Sequence, residues 1–221
     1  MRNRNPWVIV GTLCASGLFG QTGTLVDNPT VRVLSALDRP HQKTALHKHD
    51  YNRVMIYLTA GNLDVTAEDG KVEHQHWKAG DVAWSVGGPL HVSENVGAGD
   101  LRIIEVEIKK PAPPMAPVRN PKFDPILIDP SRNKLIFENS QVRVFRSSLE
   151  VDGREKWHEH MGAGRALVLL SPLSGRVEPA KGQPSPMVGG PGDVFWSDGS
   201  TRHRGANTGT KPSEIVVIEV K

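Results

Sequence analysis

The stretch Gly80–Asn95, GDVAWSVGGPLHVSEN, returns 112 residues later as Gly192–Asn207, GDVFWSDGSTRHRGAN. Eight of the sixteen positions are identical: Gly80/Gly192, Asp81/Asp193, Val82/Val194, Trp84/Trp196, Ser85/Ser197, Gly87/Gly199, His91/His203 and Asn95/Asn207. A His-x-His pair lies upstream of each copy, at His47/His49 and His158/His160, with an offset of 111. One residue inserted between His160 and Arg165 accounts for the drift. Each half therefore carries the same three histidines in the same order.

The repeat extends outward from these motifs. Asn28–Val33 parallels Asn139–Val144, and Leu101–Lys109 (LRIIEVEIK) parallels Ser213–Lys221 (SEIVVIEVK). Solenoid repeats run roughly 20–50 residues, so a period above 100 describes two copies of a whole domain. The boundaries read as a first domain over 24–110 and a second over 135–221. The proline-rich stretch 111–134 between them reads as an extended surface linker, because proline lacks an N–H and fixes φ.

Residues 1–23 have a different character. Arg2 and Arg4 precede an apolar run from Trp7 to Phe19, shorter than the roughly 20 residues that span a bilayer. A basic start, a short apolar core and small residues after it make a secretory signal peptide, with cleavage after Gly20 or Gly23. The expectation is an exported protein, periplasmic or secreted, with no stable membrane anchor in its mature form. Cys14 is the single cysteine, so the mature chain has none and no disulfide framework. Net charge is +3, with Lys and Arg scattered among acids and few aromatics, which argues against nucleic-acid binding.

Short β-branched runs recur at Val31–Val33, Val54–Leu58, Leu101–Ile108, Val142–Phe145, Ala166–Leu170 and Ile215–Val220, punctuated by Asp-Gly, Gly-Gly-Pro and Ala-Gly-Asp turns. Outside the signal segment, no long stretch shows a 3.6-residue apolar period. The pattern predicts an all-β chain of two tandem antiparallel barrels or jelly rolls. Residues i and i+2 of a strand point the same way. His47 and His49 thus share a face, as do His158 and His160, and His91 or His203 can complete each set from a neighbouring strand. Three imidazoles with open positions suit a divalent first-row transition metal: Fe, Mn, Ni, Cu or Zn.

These residues resemble the cupin family. Its second motif, Gly, five residues, Pro, one residue, Gly, two residues, His, three residues, Asn, matches at Gly80, Gly88, His91 and Asn95. It matches again at Gly192, His203 and Asn207. The first motif begins His-x-His, as at His47-Lys-His49 and His158-Glu-His160. The resemblance covers nearly all of residues 24–221 and implies two cupin barrels, a bicupin. It leaves function open, since the family includes dioxygenases, isomerases, decarboxylases, sugar-binding and storage proteins. Cupin barrels often pair, which implies a homodimer.

The chain departs from the family where a metal-binding Glu is usual: Arg53 and Arg165 stand there. Arginine has no lone pair to give and stays charged. Three readings stand side by side. The histidines alone bind the metal while the arginine clamps a substrate anion; or the metal is lost and His with Arg form an anion pocket; or each arginine is structural and paired with an acid. Asp50 is the acid in the turn of Arg53, and Asp198 is the candidate partner of Arg165. Tyr57 falls on the face of Arg53 and joins it as a candidate substrate contact. His74-Gln-His76 reads as an exposed hairpin, and Trp84/Trp196 as core packing. The best reading is an exported metal-binding bicupin, an oxygenase or isomerase acting on a small anionic molecule. The alternative is a non-catalytic binding or structural module. The first half, which keeps more of the second motif, reads as the better candidate for activity.

Overall fold

A computed structural model describes residues 8–9, 21–199 and 201–221. The predicted signal segment, apart from the short strand β1 (Val8–Ile9) and residues from Gln21 onward, lies outside the described residues. Among the described residues, no helix is long and apolar enough to cross a membrane. The chain divides into two compact units that meet in sequence at Lys109/Lys110.

The first unit consists of β2 (Gln21–Asp27), β3 (Val31–Asp38), β4 (Arg53–Tyr57), β5 (Gly61–Ala67), β6 (Val72–Trp77), β7 (Val82–Ser85), β8 (His91–Asn95) and β9 (Leu101–Ile108). One sheet has the order β2-β3-β9-β4-β7 and the other β6-β5-β8. The second unit repeats this with β10 (Asn133–Glu138), β11 (Val142–Leu149), β12 (Gly164–Leu169), β13 (Leu173–Pro179), β14 (Ser185–Gly189), β15 (Val194–Asp198), β16 (His203–Asn207) and β17 (Ser213–Val220). Its sheets run β15-β12-β17-β11-β10, with β1 added beside β15, and β14-β13-β16. Strand for strand the two units have one topology, a jelly roll made twice, as the repeat predicts.

Sequence chemistry explains the repeated residues. Gly80 and Gly192 sit at φ 87° and 91°, a backbone region that side-chain-bearing residues avoid. Their N–H groups bond back to Tyr57 and Leu169 at 2.7 and 2.8 Å, which sets the entry to β7 and β15. Asn95 and Asn207 are buried, and each ties the end of its strand to two backbone carbonyls: Asp38 and Gly99 in one unit, Leu149 and Lys211 in the other. The motif asparagine is thus a fold device rather than a site residue. Between the two faces of each unit lies a separate core. One gathers Met55, Tyr57, Leu63, Leu101 and Ile103, and the other Phe145, Leu167, Leu169, Val177, Met187 and Val217.

The proline-rich stretch is more than an extended linker. It contains a helical turn α1 (Pro125–Ile128), capped by Asp124, whose carboxylate accepts from the N–H groups of Ile126 and Leu127. Asp124 also receives Arg143 Nη1 at 2.5 Å, which anchors the segment to β11 of the second unit. A local rule of proline chemistry could not reveal a cap whose partner is a buried arginine on another strand.

Candidate metal centres

Each histidine set is assembled by backbone pairing. His47 and His91 exchange N–H···O bonds at 3.0 and 2.9 Å across an isolated antiparallel bridge, and His158 and His203 do the same at 2.9 and 3.0 Å. Directly opposed residues in such a pair project to one side of the sheet. The imidazoles accordingly lie close, with ring centroids 4.5 Å apart in both pairs. His49 and His160 join from two residues further along, at 5.1 and 4.8 Å from the rings of His47 and His158. In each unit one ring nitrogen from every histidine falls within 4.8 Å of the others.

The outer ring nitrogens are committed. Nδ1 of His47 and of His91 donates to the carbonyls of Ala45 and Pro89 at 2.8 and 3.1 Å; in the second unit His158 and His203 donate to Lys156 and Thr201 at 2.9 and 2.7 Å. Carbonyl oxygens only accept, so the proton is on Nδ1 and Nε2 carries the lone pair. The third histidine of each set turns Nδ1 to a carboxylate: His160 to Glu219 at 2.6 Å and His49 to Glu107 at 3.4 Å. Each carboxylate is held from its other side by an arginine, Arg143 Nε to Glu219 at 2.6 Å and Arg32 Nε to Glu107 at 2.5 Å. An Arg–Glu–His relay is therefore duplicated along with the histidines. Its signal lay in the repeated segments that contain Arg32/Arg143 and Glu107/Glu219, but their pairing across strands was not legible from one strand at a time.

With Nδ1 protonated, His158 Nε2 and His160 Nε2 face each other at 3.1 Å. Both Nε2 atoms thus converge inside the cluster, where one cation can reach all three rings. Orientation of ligating histidines by carbonyls and carboxylates at Nδ1 is how proteins present imidazole to a metal. Burial, with Arg165 adding to it, pushes His160 and His203 well below the ordinary histidine range, keeping both rings in the neutral, ligating form. The donor set fits a divalent metal in both units.

The two centres differ in depth. His158, His160 and His203 are 4, 7 and 5% exposed, while His47, His49 and His91 are only half-buried. The second set also lines a cavity of about 620 Å³, open solvent at its mouth included, with Phe145, Leu167 and Val217 among its apolar walls. The second centre is thus the more enclosed of the two. Tyr57 is buried in the core of its own barrel, stacked on Trp77 with centroids 4.0 Å apart; the register partner of Trp77 in the repeat is Gly189. The aromatic pair fills space in the first barrel that the second leaves to smaller residues.

Both arginines point inward and are buried, Arg53 at 7% and Arg165 at 2% exposure. Arg53 Nε lies 3.1 Å from Glu105, while Asp50 pairs with Lys48 at 2.8 Å. The acid of Arg53 is therefore Glu105, from the facing strand, and not Asp50. Arg165 donates to the Gly199 carbonyl at 3.2 Å, and its Nη2 lies 3.2 Å from His203 Nε2. Asp198, its suggested partner, is exposed and accepts the Trp196 indole N–H at 2.7 Å. The residue matching Glu105 in the second unit is Val217. Burial draws the Arg165 guanidinium down to about 10, which leaves it cationic at neutral pH. His74 is exposed on the β5–β6 hairpin and bonds Asp64 at 2.7 Å, apart from either triad.

No family model and no curated protein matches the chain. Solved structures do match. An oxalate decarboxylase variant from Bacillus subtilis aligns over 99% of this chain and 78% of its own, at 12% identity and TM-score 0.69. AerE from Microcystis aeruginosa aligns over 92% of this chain and 98% of its own, at 12% identity and TM-score 0.59. A cupin 2 conserved barrel domain protein from Leptotrichia buccalis aligns over 95% and 92%, at 14% identity and TM-score 0.57. The Bacillus subtilis oxalate decarboxylase contains Mn(II) centres. At these identities the likeness establishes the fold.

Proposed function

From the premise that this chain is a bicupin by fold, we propose that it binds a divalent first-row transition metal at His158, His160 and His203, and a second at His47, His49 and His91. We propose further that the enclosed second centre acts on a small organic anion, in an oxygenation or isomerisation. The observation that supports metal binding most directly is the convergence of three imidazole nitrogens within 4.8 Å of one another in each unit, with Nδ1 of His158 and His160 turned outward to Lys156 and Glu219.

A bound metal supplies Lewis acidity and open coordination positions for substrate oxygen. The chain's own residues do the rest. The carbonyls of Lys156 and Thr201 and the carboxylate of Glu219 fix the imidazole orientations. Phe145, Leu167 and Val217 exclude water from the cavity. Arg165, cationic and bonded to Gly199 and His203, places a positive charge beside the site that favours an anionic substrate; Arg53 is the counterpart in the first barrel, with Glu105 already beside it. Export and dimerisation remain parts of this proposal. Cleavage after Gly20 keeps all of β2, whereas cleavage after Gly23 removes its first three residues. Mass spectrometry of the protein recovered from the cell envelope distinguishes the two, and light scattering reads the dimer.

A second reading has its own support. Arg165 Nη2 donates toward the very lone pair of His203 that a metal would take, which is the arrangement of a metal-free anion pocket. Elemental mass spectrometry on full-length protein, purified without chelators, decides between them. The metal reading predicts one ion for each of the two histidine clusters, the first lost in His91→Ala and the second in His203→Ala. No metal in folded protein after reconstitution with Fe, Mn, Ni, Cu and Zn overturns it in favour of the anion pocket.

A further inference from the structure

The family's carboxylate position is arginine in both halves, yet the second barrel brings a different carboxylate to its histidines. Glu155 Oε2 lies 3.8 Å from His158 Nε2, and Glu155 lines the same cavity as His158, His160 and His203. Ligand atoms bound about 2.1 Å from one ion lie roughly 3–4 Å from each other, so the carboxylate stands at ligand spacing from His158, beside the group of three histidines whose own nitrogens lie within 4.8 Å of one another. Its placement is built. Oε2 accepts the Gly205 N–H at 2.6 Å, and Glu155 N donates to the Gly205 carbonyl at 2.9 Å. A Cβ on Gly205 would stand 2.7 Å from Oε2, so glycine at 205 leaves room for the acid.

The first barrel lacks both parts of this arrangement. The matching positions are Thr44 and Ser93, which make the same bridge: Thr44 N donates to the Ser93 carbonyl at 2.8 Å, and Ser93 N to Thr44 Oγ1 at 2.9 Å. The duplication has therefore diverged at a pair of facing positions, Thr with Ser in one barrel and Glu with Gly in the other. A solvated surface acid would not need a glycine opposite it.

We infer that Glu155 is a carboxylate ligand of the second centre, supplied from before the His-x-His pair instead of after it. The two barrels then differ in kind: a three-histidine, one-carboxylate centre in the second and three histidines alone in the first. The inference rests on the metal reading above. A fourth, anionic ligand offsets the charge of Arg165 beside the ion and favours the harder metals of the series.

The test is Co(II) and Mn(II) titration of the full chain in a His91→Ala background, which leaves the second centre as the site measured. Visible absorption reports Co(II) and electron paramagnetic resonance reports Mn(II), so no activity is needed. Glu155→Gln keeps an oxygen acceptor for the Gly205 N–H while removing the charge. Gly205→Ala changes no ligand but displaces the carboxylate. Both are expected to weaken metal binding roughly 10- to 100-fold and to change the Co(II) spectrum. Thr44→Glu with Ser93→Gly, made with His91 intact and His203→Ala, is expected to tighten the first centre. Unchanged affinity and spectrum in Glu155→Gln and Gly205→Ala overturn the role of Glu155 while leaving the metal centre standing. Folded His91→Ala protein that takes up no metal overturns the metal reading of the second barrel, and this inference with it.

Discussion

His160 Nδ1 lies 2.6 Å from Glu219 Oε1, a carboxylate with no solvent exposure. Arg143 holds the other oxygen of Glu219 at 2.6 Å, and Asp124 holds Arg143 in turn. A chain of buried charges thus runs from the helical turn before the second barrel to the histidine cluster. The register of the sheet dictates it: Arg143 stands directly opposite Glu219 on β11 and β17, as Arg32 stands opposite Glu107 on β3 and β9.

Removing the carboxylate charge should be felt in both folding and ligation. Breaking a buried ion pair from one side costs about 3–5 kcal/mol, because the other charge is left buried. Glu219→Gln is expected to fall near the lower end, since Asp124 still faces Arg143. Glu107→Gln should cost less, because Arg32 is 39% exposed and can turn to water. Urea unfolding of the two variants checks the order, and equal losses would contradict it. Metal affinity should fall in both, each at its own centre.

How much of this was readable beforehand follows from where each signal resides. The histidines were legible because a duplicated motif keeps them in register and strand alternation puts i and i+2 on one face. The barrels were legible for the same reason. Glu105, the acid beside Arg53, was not, since it lies on β9, 52 residues from its partner, and nothing local links the two strands. Asp50 was the nearer acid in sequence and pairs with Lys48 instead. Glu155 was passed over because it lies upstream of the His-x-His pair, where the family resemblance gives no reason to look. Only the backbone bridge between Glu155 and Gly205 brings it to the cluster.

Asp38 gives the first barrel a pH dependence. Burial, with the nearby Glu105 charge adding to it, pushes the Asp38 carboxyl up to about 6, against about 3.9 for an unfolded aspartate. The folded state therefore holds this proton more tightly than the unfolded chain. Below about pH 4 both states are protonated and Asp38 has no differential effect. As pH rises from about 4 to 6 the unfolded state ionises first, and stability is lost, reaching a deficit of about 3 kcal/mol that persists above pH 6. Asp38→Asn is expected to be more stable than the native chain at pH 7, with the difference vanishing toward pH 4. Denaturation midpoints across that range check it. A difference constant with pH would show that Asp38 does not titrate in this window.

Arg165 is the residue that separates the readings of the site. A guanidinium 3.2 Å from His203 Nε2 opposes a cation bound to that nitrogen by a Coulomb term of about 1–4 kcal/mol per unit charge of the ion at the effective dielectric of a partly wet site. Arg165→Met keeps the aliphatic stem and removes the charge. It is expected to tighten metal binding at the second centre by about tenfold, within that Coulomb range, while weakening the binding of a small carboxylate such as acetate or malonate. Arg53→Met should show a smaller gain at the first centre, because Glu105 at 3.1 Å already offsets the Arg53 charge. Calorimetric titration with Zn(II), then with the carboxylate, reads both effects. Loss of metal affinity in Arg165→Met would mean that the guanidinium holds His203 in its ligating orientation, and a carboxylate affinity unmoved by the substitution would remove Arg165 from the substrate site.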